Sequence, residues 1–145
     1  SALGRTVETA RLASPGIICT QLEGLNERRV GIYEGQVLAA DQSLLARYLR
    51  RRADPHDDLE GGETLEQHHQ RVAEAVHFIL RRHFEGNLLI IGHGLTNAQI
   101  MRTLLDLSVE QTLSFRQAND ELYLVHWLSG GVPIAWKAWN PSLPL

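Results

Sequence analysis

The run Leu88-Leu89-Ile90-Ile91, closed by Gly92-His93-Gly94 and followed by a segment of helical spacing, constrains the fold more than any other feature of the chain. Four successive apolar residues, two of them β-branched, read as a strand buried on both faces, the kind found inside a parallel sheet. A strand that ends in glycines and opens into a helix presents backbone N–H groups beyond its C-terminal end, where α/β proteins bind anions. An imidazole there, His93, can act as proton donor, nucleophile or cation facing a phosphate, and the flanking glycines let a ligand approach the backbone. The turn lacks the central serine of a nucleophile elbow, so acyl transfer on it is unsupported.

Helical and strand patterns alternate around this unit. Arg5 to Ala13 reads as a helix stopped by Ser14-Pro15-Gly16, and Ile17-Ile18-Cys19-Thr20 as a short buried strand. Leu22 to Gly35 is rich in glycine and charge and reads as a loop. Asp41 or Ser43 caps a helix carrying Leu44, Leu45, Tyr48 and Leu49, which ends at Arg50-Arg51-Arg52, a solvated cationic end favoured by the helix dipole. After the loop from Ala53 to Gly62, Thr64 and Gln67 match a capping box for a helix running to about Phe84, with Leu65, His69, Val72, Val76, Ile79, Leu80 and His83 on its inward stripe. Thr96 with Gln99 caps the next helix, Asn97 to Leu107, and Ser108 with Gln111 opens a short one. Leu122 to Leu128 and Val132 to Trp139 alternate about the turn Ser129-Gly130-Gly131 and predict an antiparallel hairpin. The interleaving predicts an α/β fold: a three-layer α/β/α sandwich with a mostly parallel sheet and an antiparallel C-terminal hairpin or edge.

Composition narrows the function. The 145 residues suffice for one domain, and 43% hydrophobic with 21% charged residues is ordinary globular usage. A net charge of −3, from 14 basic and 17 acidic residues, supplies no single-sign field for a nucleic acid or an anionic membrane, and no apolar run is long enough to span a bilayer. Neither partner is expected. The single Cys19 excludes an internal disulfide framework and any thiolate-built metal site, and fits a reducing, cytoplasmic compartment. His68 and His69 are adjacent and point to different helix faces with no third ligand at the usual spacing, so no metal and no cofactor are expected. His69 and His83 read as core histidines. Thirteen arginines against the single Lys137 suit an oxyanion site through planar guanidinium forks, although a coding bias explains the excess as readily.

Five segments in order resemble one family. Ser1-Ala2-Leu3-Gly4-Arg5-Thr6-Val7-Glu8-Thr9-Ala10 looks like its Ser-x-Leu-x-Arg-x-x-x-Thr-Ala helix start, and Leu25-Asn26-Glu27-Arg28-Arg29-Val30-Gly31-Ile32-Tyr33-Glu34-Gly35 like its acidic loop. Gly61-Gly62-Glu63-Thr64, then Ile90-Ile91-Gly92-His93-Gly94, and finally Asn119 before the Leu122 strand complete the order. The chain is similar to the histidine phosphatase superfamily, which includes cofactor-dependent phosphoglycerate mutases and fructose-2,6-bisphosphatases.

The resemblance implies a phosphoglycerate mutase-like fold and a metal-independent phosphoryl-transfer pocket, built from two histidines, two or more arginines and a carboxylic acid, for a small phosphorylated substrate. Carried over residue by residue, Arg5 binds phosphate, Glu27 donates a proton, with Glu34 and Glu63 as rivals, and His93 is the second histidine, stabilising the transferring group. Gly94 and Arg28 bind substrate. These roles suit the chemistry, because a transferring phosphoryl group spreads charge over oxygens that guanidinium forks and imidazole N–H groups stabilise. The family opens with a strand ending in Arg-His-Gly, whose histidine becomes phosphorylated, and this sequence holds no Arg-His-Gly; its one Arg-His pair, Arg82-His83, lies inside a predicted helix. The expectation is a single histidine phosphatase-like domain over residues 1–145 that lacks its N-terminal βα segment. Its nucleophile would then precede Ser1, and its reaction would be hydrolysis of small phosphomonoesters through a phosphohistidine. The compact loop from Glu27 to Glu63 favours phosphatase over phosphoglycerate mutase; a catalytically inactive phospholigand-binding relative is the alternative, and an oligomer in which a second chain donates the missing strand stays open.

Overall fold

The computed structural model describes residues 1–83, 85–126 and 131–139. Its helices are α1 (Gly4–Ala13), α2 (Gln42–Arg51), α3 (Leu65–Arg82), α4 (Gly94–Leu105) and α5 (Val109–Ser114), and its strands are β1 (Leu122–His126) and β2 (Ile134–Trp139). Single 3-10 turns at Glu23–Leu25, Gly31–Tyr33 and Leu38–Ala40 punctuate the long segment between α1 and α2. Local capping chemistry sets most helix starts. The Asp41 carboxylate accepts from the Ser43 and Leu44 N–H groups, and reciprocal boxes join Thr64 with Gln67 and Ser108 with Gln111.

A cap contributes about 1 kcal/mol, whereas burying a Leu or Val side chain contributes about 2 kcal/mol, so packing decides where α3 lies. Its inward residues are Leu65, His68, Val72 and Val76. Val72 and Val76 pack with Leu25 and Ile100, joined by Ala75, Ile79, Ile90 and Leu104, which sandwiches α3 between the Glu23–Leu25 turn and α4. A second cluster, Tyr33, Tyr48 and Leu59 with Val30, Leu38 and Leu44, pins α2 to the acidic loop. The Arg50–Arg52 end of α2 is not merely solvated: Arg51 forks onto Asp57 at 2.7 and 2.8 Å and Arg52 stacks on the Tyr48 ring.

The sheet departs from expectation. Among the described residues it has two strands, β1 and β2, paired antiparallel with Leu124 opposite Trp136 and a bulge between Leu122 and Tyr123. Trp127, Leu128 and most of the predicted turn, and Phe84 at the end of the α3 pattern, lie outside the described residues. Among the described residues the runs Ile17–Thr20 and Leu88–Ile91 carry no ladder and form no three-layer parallel sheet. A strand forms only against a neighbour that completes its hydrogen bonds, and neither run has one among the described residues. Ile18, at 98% exposure, and Leu89, at 59%, are correspondingly bare.

Two loops meet backbone to backbone beside α3. Ile32 N–H donates to Leu59 O at 3.1 Å and Glu63 N–H to Arg29 O at 2.9 Å. Gly31 sits at φ +54°, and a Cβ there would strike the Leu59 carbonyl. Gly31→Ala should therefore cost on the order of 3 kcal/mol in urea unfolding, while Gly35→Ala, at φ +71° but in open space, should cost about 1 kcal/mol. Equal losses at the two positions would contradict this account of the loop contact.

Candidate active site

The end of the Leu88–Ile91 run turns through Gly92 and enters α4 with His93 as its N-cap, in extended conformation and with no side-chain cap of its own. The helix is capped from another segment instead. Leu95 N–H and Thr96 N–H donate to the Glu27 carboxylate at 3.3 and 3.1 Å, and Arg28 N–H adds a third bond at 3.0 Å. Glu27 thus occupies the positive end of α4, where unsatisfied amides favour an anion. Gly94 N–H makes no hydrogen bond among the described residues and stays exposed.

His93 is buried, and its neighbours fix its tautomer. Arg5 Nε–H donates to Nδ1 at 3.1 Å, so the ring proton resides on Nε2, which lies 2.9 Å from Ser1 Oγ. Ser1 Oγ in turn donates to Asn26 Oδ1 at 3.0 Å. Burial holds the His93 pKa below its ordinary value; the nearby Glu27 opposes that shift and the Arg5 cation adds to it. The two Nη groups of Arg5 have no partner among the described residues, and Arg5 and Glu27 line one cleft of about 1170 Å³. An imidazole N–H, a free guanidinium fork, a helix N-terminus and a carboxyl group therefore converge within a few side chains.

Residues 1–140 match the family described as the histidine phosphatase superfamily (branch 1). The chain belongs to this superfamily. Comparison with curated proteins gives no match. Members of the superfamily are generally phosphatases or mutases that act on small phosphorylated substrates.

The other carboxylates of the domain are placed differently from Glu27. Glu63 is buried; Arg71 donates to it from Nε and Nη2, both at 2.8 Å, and Arg29 N–H donates at 3.1 Å. Burial works against its charge, yet the Arg71 guanidinium and the Arg29 amide outweigh that cost and hold the Glu63 pKa at about 2. Glu63 is a permanent anion in a structural pair and cannot donate a proton near neutrality. Glu34 is exposed and accepts Val30 N–H at 2.8 Å, which turns it back on its own loop. Arg28 is buried with Nε, Nη1 and Nη2 each bonded to a carbonyl, those of Glu63, Arg52 and Asp57. Three of its five N–H donors thus brace the loops around Glu27.

Three residues at the site receive no site role from the sequence: Asn26, which stands only as part of the acidic-loop segment, Thr96, which reads only as a helix cap, and His68. His68, not His69, is the fully buried histidine of α3. Its Nε2 lies 3.1 Å from Thr96 Oγ1, and that oxygen reaches Asn26 O at 2.9 Å and Glu27 Oε1 at 3.0 Å. Among the described residues no three His, Cys, Asp or Glu side chains are grouped to hold a metal ion, and no helix is long and apolar enough to cross a membrane.

Burial, reinforced by the Arg71 cation and opposed by Glu63, pushes the His68 pKa down to about 3 from 6.5. Between those values the unfolded chain binds a proton that the folded chain refuses, so stability is whole above about pH 6.5 and falls as the pH drops toward 3. Glu63 adds a loss between 4.5 and about 2, and the lowered His69 and His93 add to the upper part of the arm. Urea unfolding across this range should lose up to about 1.4 kcal/mol per pH unit for His68 alone, and His68→Leu should flatten the profile by that amount. A parent profile already flat below pH 6.5 would contradict the burial of a neutral His68.

Proposed function

We propose that this histidine phosphatase domain hydrolyses small phosphomonoesters through a phosphohistidine, with the phosphorylated histidine in sequence preceding Ser1 and belonging to the same single domain. The observation that carries this reading is the bond from Arg5 Nε–H to His93 Nδ1. It leaves His93 neutral with its proton on Nε2, where a phosphoryl oxygen can take the place of Ser1 Oγ, and leaves the Arg5 Nη groups open, so both can give N–H donors to one anion. Together with the unbonded Gly94 N–H, they suit the oxygens of a phosphoryl group in transfer, whose charge positioned donors stabilise.

Glu27 fits the proton donor. As the ester P–O bond breaks and the phosphoryl group passes to the nucleophilic histidine, the Glu27 proton goes to the leaving oxygen, and a carboxylate remains at the α4 N-terminus, bonded by Leu95 and Thr96 amides. Water then attacks the phosphohistidine, giving a proton to the Glu27 carboxylate as the P–N bond breaks, which releases inorganic phosphate and restores the free histidine and the Glu27 acid. The organic part of the substrate has a pocket of about 210 Å³ beside Glu27, Gly94 and Leu95, with Phe115 in its wall and Arg28 at its edge. Arg28 there has two N–H groups not given to carbonyls, enough to meet a further substrate oxygen.

In the full-length protein, His93→Ala should lower kcat/KM for a small phosphomonoester by roughly a thousandfold, and Arg5→Ala by roughly a hundredfold with a raised KM. Phosphate release from the His93→Ala variant at the parent rate would overturn the site assignment.

A further inference from the structure

We propose that His68 is a positioning residue for the proton donor, fixing the direction of the Thr96 hydroxyl so that it serves Glu27. The inference rests on the phosphatase reading above and goes beyond it, because His68 touches no substrate and lies on a different helix from every group assigned to the chemistry.

The geometry starts from an unpaired atom. His68 is wholly buried, and its Nδ1 has no hydrogen-bond partner among the described residues. A buried N–H without an acceptor costs more than a buried lone pair without a donor, so the ring proton belongs on Nε2, the nitrogen that meets Thr96 Oγ1 at 3.1 Å. The imidazole is held neutral by its burial and by the adjacent Arg71 cation. Nε2–H therefore donates to Thr96, and the Thr96 hydroxyl, which has one proton, cannot donate back. That proton has two acceptors within reach, Asn26 O at 2.9 Å and Glu27 Oε1 at 3.0 Å, both on the acidic loop. The tautomer of a histidine on α3 thereby keeps the Thr96 proton for the acidic loop, where Glu27 Oε1 and Asn26 O accept it, rather than for the imidazole.

The consequence falls on one step. When Glu27 gives its proton to the leaving oxygen, the carboxylate left behind gains the Thr96 hydroxyl as a donor that is already aimed and needs no reorganisation, which is how a preorganised donor stabilises developing charge. Thr96 is fully buried, so water cannot supply the missing bond if His68 is lost. The effect should grow with the amount of proton transfer that the leaving group requires. An alkyl phosphate, whose alkoxide departs only when protonated, should depend on it; an activated aryl phosphate, whose phenolate leaves unaided, should not.

The test compares both substrates in the full-length protein. His68→Leu should lower kcat for an alkyl phosphomonoester on the order of tenfold, leave kcat for 4-nitrophenyl phosphate within about twofold, and leave KM for both unchanged. His68→Gln, which can place an N–H where Nε2–H lies, should recover most of the alkyl rate. Equal losses on the two substrates, as a general folding defect would give, overturn the proposal, and so does an alkyl rate unchanged in His68→Leu. Turnover of neither ester by the parent protein overturns the phosphatase reading and this inference together, and is told apart from failure of the His68 role alone, in which the parent turns over normally.

Discussion

The ion pair of buried Glu63 and half-buried Arg71 ties the loop that carries Glu27 to the loop before α3 and to α3 itself. Glu63 ends the loop that precedes α3, Arg71 lies two turns into that helix, and the two side chains meet through paired N–H···O bonds of 2.8 Å. The third arm of Arg71 reaches the carbonyls of Gly24 and Asn26, while the second lone pairs of Glu63 take the Arg29 amide. Breaking such a pair from one side leaves an uncompensated charge in the interior and typically costs 3–5 kcal/mol, more than the cap of any helix in the chain. Asn26 and Glu27 sit between the two anchor points, so their placement at the head of α4 follows from an ion pair that is itself no part of the chemistry.

Around that anchor, the chain uses arginine in two distinct ways. Arg51 and Arg71 bond to the protein's own Asp57, Glu60 and Glu63 and to loop carbonyls, Arg28 gives three of its five N–H donors to carbonyls, and all three hold loops that have little regular structure of their own. Arg5 alone among the arginines assigned to the site keeps its Nη groups open, and it keeps them open beside a histidine whose tautomer it sets. The planar fork serves both ends: it can satisfy several carbonyls at once in a loop, and it can match an oxyanion at a site. An excess of arginine over lysine is thus as much a way of building loops as a mark of phosphate chemistry.

The sequence made the local features plain and hid the distant ones. Capping boxes at Thr64 and Ser108 and the cap at Asp41 depend on neighbours three residues away or fewer, and each is present. The α3 pattern fitted an inward His69 as well as an inward His68, since 65-69-72-76 and 65-68-72-76 both step by three or four; packing against Thr96 chose His68. Thr96 and Gln99 matched a capping box that is not used. The helix begins at Gly94, earlier than that pattern predicted, because Glu27, far away in sequence, supplies the capping oxygens. The runs at Ile17 and Leu88 had strand composition, but a ladder is a property of two segments, and composition describes one. His93 and Gly94 stood out from the strand-turn-helix pattern, whereas Arg5 and Glu27 were visible only through the order of family segments; nothing in their spacing alone would have drawn the four together.

The central claim is that His93, Arg5 and Glu27 form one site for a phosphoryl group in transfer. A crystal structure of the full-length protein with orthovanadate, which adopts the five-coordinate geometry of that group, tests it most directly. The account predicts vanadate oxygens within hydrogen-bond distance of His93 Nε2 and the Arg5 Nη groups, with the Glu27 carboxyl facing an apical oxygen. Vanadate bound away from His93 and Arg5, or with Glu27 turned from it, would contradict the account.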